Sequence, residues 1–210
     1  MKDLIIVGAS GFGRELLMAI KEINQIKQEW NVLGFIDDNL HALEGIECSH
    51  QLLGTIDEWN PEKGELFAMG IAKPSVKKIV ADKLKDRGAE FASIIHPTAR
   101  IGTPTKYGEG LVLFSYADLS VNCEVGDFVF MNSFSQVGHD SIIGDYCTLF
   151  PNCSIAGGGK LGEGVLIGTA ASTYPNIKVG NYATVGMNSA VIRNVKENTT
   201  VMGVPAKRVL

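Results

Sequence analysis

Two short stretches of the chain carry residues that could do chemistry. The first is SQVGHDSIIGD, where His139 and Asp140 stand side by side between Gly138 and Gly144. An imidazole titrates at about 6.5, so it can accept a proton at neutral pH. A carboxylate that takes its Nδ1–H would leave Nε2 free as the base. Neighbours on a flat strand point to opposite faces, so the pair can cooperate only in a corner of the chain. Eighteen residues after His139 lies Gly157, the first of three consecutive glycines. A backbone N–H there could meet a developing oxyanion, because no side chain obstructs approach. The second stretch is VGASGFG, with Ser10, Gly11 and Gly13, followed by Asp37 and Asp38 after the next apolar run. A glycine-rich turn between a strand and a helix lets phosphates approach the helix N-terminus.

The elements that must hold these groups follow two different periods. Over the first part, strand-like and helix-like segments alternate. Leu4 to Val7 and Val32 to Ile36 read as buried strands, with Leu66 to Ile71 and Phe91 to Ile95 as later ones. Leu16, Leu17, Ile20 and Ile23 form the apolar face of a helix starting near Gly13. Val76, Ile79, Val80 and Leu84 form another, which starts at Pro74 and stops at Gly88. Such alternation predicts a small parallel Rossmann-like α/β sheet. GASGFG with two aspartates could by itself mark a nicotinamide site. Fewer than 100 residues precede the change of period, however, and no second dinucleotide-binding half is evident.

From Ile101 onward the period is six. Leu113, Leu119, Val125, Met131, Val137, Ile143, Leu149, Ile155, Leu161 and Ile167 follow at six-residue steps, and only Thr173 interrupts the line before Val179, Val185 and Val191. Small residues such as Cys123, Ser135, Cys147, Cys153 and Ala171 lie four places after these aliphatics. This is the hexapeptide repeat of a parallel β-helix. Six residues make one strand and one corner, three faces make a coil of eighteen, and roughly five coils span residues 101 to 194. Aliphatic and small residues should point inward, with glycine supplying the corners. The predicted domains are 1–96, Rossmann-like, and 97–210, the prism. His139 and Asp140 fall at a corner, exposed, and Gly157 falls on the same edge one coil later. Tyr174-Pro175 breaks the repeat beside Thr173.

Composition agrees with a globular protein: 210 residues, 45% hydrophobic, 20% charged, net charge −4. This balance argues against broad nucleic-acid binding. No run approaches the ~18 apolar residues of a membrane span, and the N-terminal apolar run is too short for a signal peptide. A cytoplasmic protein is expected. Cys48, Cys123, Cys147 and Cys153 form no CxxC pair, and only His139 of the four histidines lies inside the repeats. No metal site is therefore expected. His96, before Pro97, reads as structural.

Taken together, VGASGFG, FIDD, the hexapeptide array, VGHDSIIGD and the terminal MGVPAKRV resemble the PglD/NeuD group, bacterial sugar acyltransferases of the left-handed β-helix superfamily. The resemblance implies a left-handed prism, a homotrimer with active sites between subunits, and acetyl-CoA as donor. It also implies a nucleotide-linked amino sugar, usually on UDP, as acceptor in glycan assembly. His139 matches the family's base and Gly157 its backbone oxyanion donor. The family usually has glutamate where this chain has Asp140. Some members hold the donor with a second histidine nine residues on, where Thr148 stands here. Lys207 and Arg208 lie in the ending that flanks CoA in related acyltransferases. Ser10, Gly11, Gly13, Asp37 and Asp38 would contact the nucleotide, with Gly70 and Lys73 beside them. The expected reaction is direct attack of the sugar amine on the thioester. Two alternatives remain open on the residues: O-acetylation of a sugar of sialic-acid type, and a non-catalytic protein that binds sugar nucleotides.

Overall fold

The computed structural model describes residues 1–209. It opens with a five-stranded parallel sheet in the order β3-β2-β1-β4-β5. The strands are β1 (Lys2–Val7), β2 (Trp30–Ile36), β3 (Leu52–Gly54), β4 (Leu66–Met69) and β5 (Glu90–Phe91). Helix α1 (Gly11–Ile26) crosses from β1 to β2, and α2 (Pro74–Lys85) from β4 to β5. The apolar face of α1 lies where its periodicity puts it, with Leu16, Leu17, Ile20 and Ile23 all buried. Two details differ from the sequence reading. The three-residue β3 lies in a segment without an apolar pattern. The expected strand from Phe91 to Ile95 divides: Glu90–Phe91 closes the first sheet, and Ile94–Ile95 already pairs with Val112–Leu113 of the prism.

The rest is a left-handed β-helix. Its first face stacks Ile94–Ile95, Val112–Leu113, Phe130–Met131, Thr148–Leu149, Leu166–Ile167, Thr184–Val185 and Thr200–Met202, with Lys207–Arg208 antiparallel at the end. The second face runs from Arg100–Ile101 through Asp118–Leu119, Gln136–Val137 and Ser154–Ile155 to Ala190–Val191. The third runs from Lys106–Tyr107 through Glu124–Val125, Ile142–Ile143 and Lys160–Leu161 to Lys178–Val179. Successive rungs are eighteen residues apart, as in Asp118↔Gln136↔Ser154. Parallel strand spacing fixes the rise per coil at ~4.8 Å. The six-step aliphatics and the small residues do fill the interior as one apolar column.

The corners are built differently from the expectation. Left-handed φ values between 53° and 60° recur at Tyr116, Asn122, Phe128, Phe134, Asp140, Tyr146 and Asn152, then at Ala170, Asn176, Tyr182 and Asn188. Glycine holds this position only at 110, 158 and 164 within the series. An L-residue there costs on the order of 1 kcal/mol, which the packing of each coil on the next offsets. The repeat glycines serve close approach instead. A Cβ on Gly144 would lie 2.7 Å from the carbonyl carbon of Gly162, and one on Gly138 would lie 2.6 Å from the amide nitrogen of Gly157.

The two parts share a core along the first face. Phe12, in the glycine-rich turn, stacks on Phe130 with centroids 4.8 Å apart and meets Phe114 edge-on at 5.4 Å. Each such aromatic pair is worth about 0.5–1.5 kcal/mol beyond its buried area. Lys85 pairs with Glu109, and the Tyr146 hydroxyl donates to Asp82 at 3.2 Å, so α2 is tied to the edge between the third and first faces.

Candidate active site

His139 stands at the edge where the second face turns into the third, opposite the first face that carries the N-terminal sheet. Its side chain is 66% exposed. Asp140 occupies the left-handed corner position, φ 59°, and this turns its carboxylate back onto the preceding imidazole. Nδ1 of His139 lies 2.6 Å from Oδ2 of Asp140. A carboxylate can only accept, so Nδ1 carries the proton and Nε2 is left as a base. That hydrogen bond, with a second from Asn122 and the attraction of the imidazole, holds the Asp140 carboxyl below its ordinary range. Asn122 is the corner residue one coil earlier. The sequence reading missed it, although a step back of eighteen from Asp140 lands on it.

The imidazole leans toward the next coil. A Cβ on Gly157 would lie 2.6 Å from Nε2 of His139, so glycine is required for the ring to occupy its place. The N–H of Gly158 donates to the His139 carbonyl at 2.8 Å, whereas the N–H of Gly157 has no acceptor among the described residues. Base and free donor therefore flank one exposed point on the same edge. Two coils below His139 on that edge, Tyr174 is 65% exposed.

Thr148 lies elsewhere. It is on the first face, 1% exposed. Its hydroxyl donates to the Ala72 carbonyl at 2.7 Å and accepts from Lys77 Nζ at 3.0 Å. Within the chain it braces the seam between the two parts rather than the His139 corner. Lys77 is fully buried there, donates also to the Cys147 carbonyl at 3.1 Å, and sits 3.7 Å over the Phe130 ring. Burial drives its ammonium pKa well below the ordinary value. Burial also pushes the thiols of Cys147 and Cys153 up to about 12 and raises that of Cys123. None of these three is poised as a nucleophile.

The glycine-rich turn is backbone packed on backbone. A Cβ on Gly13 would lie 1.9 Å from the Gly8 carbonyl oxygen, and one on Gly70 would lie 2.9 Å from Cα of Gly13. Gly11, by contrast, borders open space. Ser10 caps α1 without a side-chain hydrogen bond, so its exposed hydroxyl stays available. The N–H groups of Gly11, Phe12 and Gly13 find no acceptor among the described residues, as at the first turn of any helix. Asp37 is engaged internally: Oδ2 accepts from Ala9 N–H at 2.7 Å and Oδ1 from Asn39 N–H at 2.9 Å. Asp38 is exposed and accepts from Asp57 N–H at 2.9 Å. Lys73 caps α2 and is exposed. Lys207 and Arg208 border an open hollow of about 390 Å³ at the far end of the prism, together with Arg193 and Lys196.

The chain is similar to known proteins. Residues 3–84 match the family model described as the PglD N-terminal domain. The chain is 30% identical over 169 residues to a GDP-perosamine N-acetyltransferase of Escherichia coli O157:H7, covering 79% of this chain and 75% of that protein. Among solved structures, WeeI from Acinetobacter baumannii AYE superposes with TM-score 0.86 and 26% identity over 100% of both chains. PerB from Caulobacter crescentus, solved with CoA and GDP-perosamine, superposes with TM-score 0.88 and 23% identity over 100% of this chain and 98% of its own.

Proposed function

The chain belongs to the PglD/NeuD-like sugar acyltransferases, and from that premise we propose that it transfers an acetyl group from acetyl-CoA to the amine of a nucleotide-linked sugar. One observation carries the reading to these residues: at a single exposed edge, an imidazole oriented by a carboxylate leans over a glycine whose N–H is free. Nε2 of His139 takes the proton of the attacking amine as the C–N bond forms. Asp140 holds the tautomer and offsets the positive charge on the ring. The Gly157 N–H receives the oxyanion, a contact worth about 3–4 kcal/mol in comparable sites. Collapse of the tetrahedral intermediate expels the CoA thiolate, and the imidazolium returns a proton to it. The high thiol pKa values of the buried cysteines favour this direct transfer over a covalent acyl-enzyme.

Donor and acceptor take different ends of this arrangement. The thioester lies at His139 and Gly157. Lys207 and Arg208 lie five rungs further along the first face, counting Phe130, Thr148, Leu166, Thr184, Thr200 and the strand after it, and Arg193 lies three rungs beyond His139 on the edge that carries it, with Lys196 beside the same hollow. At ~4.8 Å per rung these are ~24 Å and ~14 Å, separations suited to the phosphates at the other end of CoA. Ser10, the free amides that open α1, Asp38 and Lys73 are assigned to the nucleotide. The glycine-rich turn packs on the first face through Phe12, whereas His139 is on the opposite edge. A nucleotide sugar held by one chain therefore reacts at His139 of another, which supports a homotrimer with shared sites. The resemblance favours UDP, and the name of the E. coli relative carries GDP. We place the reaction in the cytoplasm, where acetyl-CoA and nucleotide sugars meet.

The test is His139→Ala assayed with acetyl-CoA against GDP- and UDP-linked amino sugars and against hydroxy sugars. Turnover should fall about 10²- to 10⁴-fold while acetyl-CoA binding is retained. Wild-type activity in the variant would refute the assignment, and transfer to hydroxy sugars alone would replace N- by O-acetylation.

A further inference from the structure

The left-handed residues at the edge between the second and third faces form one column, Asn122, Asp140, Gly158 and Asn176, one per coil. The rungs on either side of this corner are in register, with Asp118 opposite Gln136 and Glu124 opposite Ile142. Asn122 therefore stacks on Asp140 at the ~4.8 Å spacing of the coils. The N–H of Asp140 donates to the Val121 carbonyl at 3.1 Å, which fixes the Asp140 backbone beside Asn122. The Asp140 carboxylate then has two side-chain donors. His139 Nδ1 lies 2.6 Å from Oδ2, and the Asn122 amide donates from the preceding coil. The Asn122 side chain is exposed and makes no other hydrogen bond among the described residues.

The fold alone asks for less than this. A φ of 57° at residue 122 suits asparagine, aspartate or glycine, and Gly158 fills the same place two coils later. Any of the three closes the corner, but only asparagine presents a neutral donor to Asp140. Asn122, Asp140, His139 and Gly157 follow one another along the prism axis, and each sets the next. The nitrogen that carries the proton in a neutral imidazole is decided by the bond the ring makes, and a carboxylate on one methylene turns freely unless something holds it. We propose that Asn122 is a positioning residue: its amide holds the Asp140 carboxylate against Nδ1 of His139, and so keeps Nε2 unprotonated and turned to Gly157. The kinetic consequences rest on the acetyl-transfer reading above, whereas the ring tautomer is read without substrate. Other ionisable groups near the corner are Asp118, paired with Arg100, the inward-turned Cys123 thiol, and Glu124 and Lys160 at the start of third-face strands.

Asn122→Gly and Asn122→Asp test this, because both residue types accept the left-handed corner and leave those other groups in place; thermal melts check that both variants fold. Nitrogen-15 NMR of the His139 ring above pH 8 should show the Nδ1–H tautomer in the wild type and a substantial Nε2–H population in Asn122→Gly. In the same variant kcat should fall about tenfold, the effect of losing one hydrogen bond to a charged group, with both KM values within about twofold of wild type. Asn122→Asp replaces the donor by a second carboxylate ~5 Å from the first. The added charge favours the imidazolium, so the acidic limb of the kcat/KM profile should move up by about half a pH unit or more. An unchanged tautomer in Asn122→Gly overturns the proposal whatever its kcat, and so does an unmoved acidic limb in Asn122→Asp. A wild-type ring in the Nε2–H tautomer overturns both this role and His139 as base. If the wild type transfers no acetyl group, the functional reading fails by itself, and the tautomer still decides the part played by Asn122.

Discussion

A site divided between chains makes a quantitative prediction that a site within one chain does not share. Two lesions can be separated cleanly. His139→Ala removes the imidazole proposed as base at the edge between the second and third faces. Gly11→Trp fills the mouth of the glycine-rich turn; residue 11 is exposed and a Cβ there meets nothing closer than an Arg14 nitrogen at 4.0 Å, and a thermal melt of the variant checks that the fold tolerates it. Each variant alone should be nearly inactive toward nucleotide sugars. When equal amounts are co-assembled at random, a shared site works only if its turn comes from a His139→Ala chain and its base from a Gly11→Trp chain. Each choice has odds of one half, so about a quarter of the sites in a cyclic assembly are intact. Co-expression with two affinity tags, tandem purification and acceptor-dependent CoA release measure this. Tandem purification retains only mixed assemblies, whose expected activity is about a third of wild type for trimers, because the two homogeneous classes, a quarter of all assemblies, are removed. Activity no higher than that of the two parents would show that turn and base serve the same chain, and would refute the argument from their opposite placement.

Two further predictions test single contacts. Gly157→Ala places a methyl where Nε2 of His139 now rests, 2.6 Å away; the ring must swing aside, so kcat should fall about 10²-fold or more with thermal stability nearly unchanged, and a normal kcat would refute the geometry. Lys77→Met probes the seam. Because the folded-state pKa of Lys77 is depressed, the unfolded chain binds a proton that the folded chain lacks at pH values between that depressed value and about 10.5. Wild-type stability should therefore rise with pH through this window, and the Met variant should show a flatter profile in denaturant titrations; identical slopes would refute a neutral buried lysine.

Much of this protein was legible because its second part is periodic. A six-residue beat leaves little choice about which side chains face inward, and Val137 and Ser141 locate His139 at a corner between them. The mechanism of the corner was not legible in the same way. Glycine is conspicuous in a sequence, and its freedom in φ suggests turns. Here the left-handed positions belong mostly to asparagine and aromatic residues, while glycines 138, 144 and 168 make room for the backbone of the next coil. Thr148 shows the same limit at a single residue. Position relative to His139 suggested a donor contact, but the residue's neighbours come from Ala72 and Lys77, more than 70 residues away. Such contacts depend on how two units dock, and no local pattern encodes that.

The site illustrates why a coil of eighteen residues is useful for chemistry. A β-helix is rigid along its axis because every rung is hydrogen-bonded to the next, and side chains eighteen apart stack within ~5 Å of each other. Asn122, Asp140 and the glycine at 158 thus form one column, and His139 and Gly157 form the column beside it. The imidazole, the groups that orient it and the Gly157 N–H are held at fixed separations by the scaffold alone, with no loop to order. The chain supplies this precision at one edge and a glycine-rich turn with unpartnered N–H groups on the far side of the same prism. If the turn holds the acceptor and the His139 corner the donor, as proposed, a second copy must bring them together, and the co-assembly experiment above decides it.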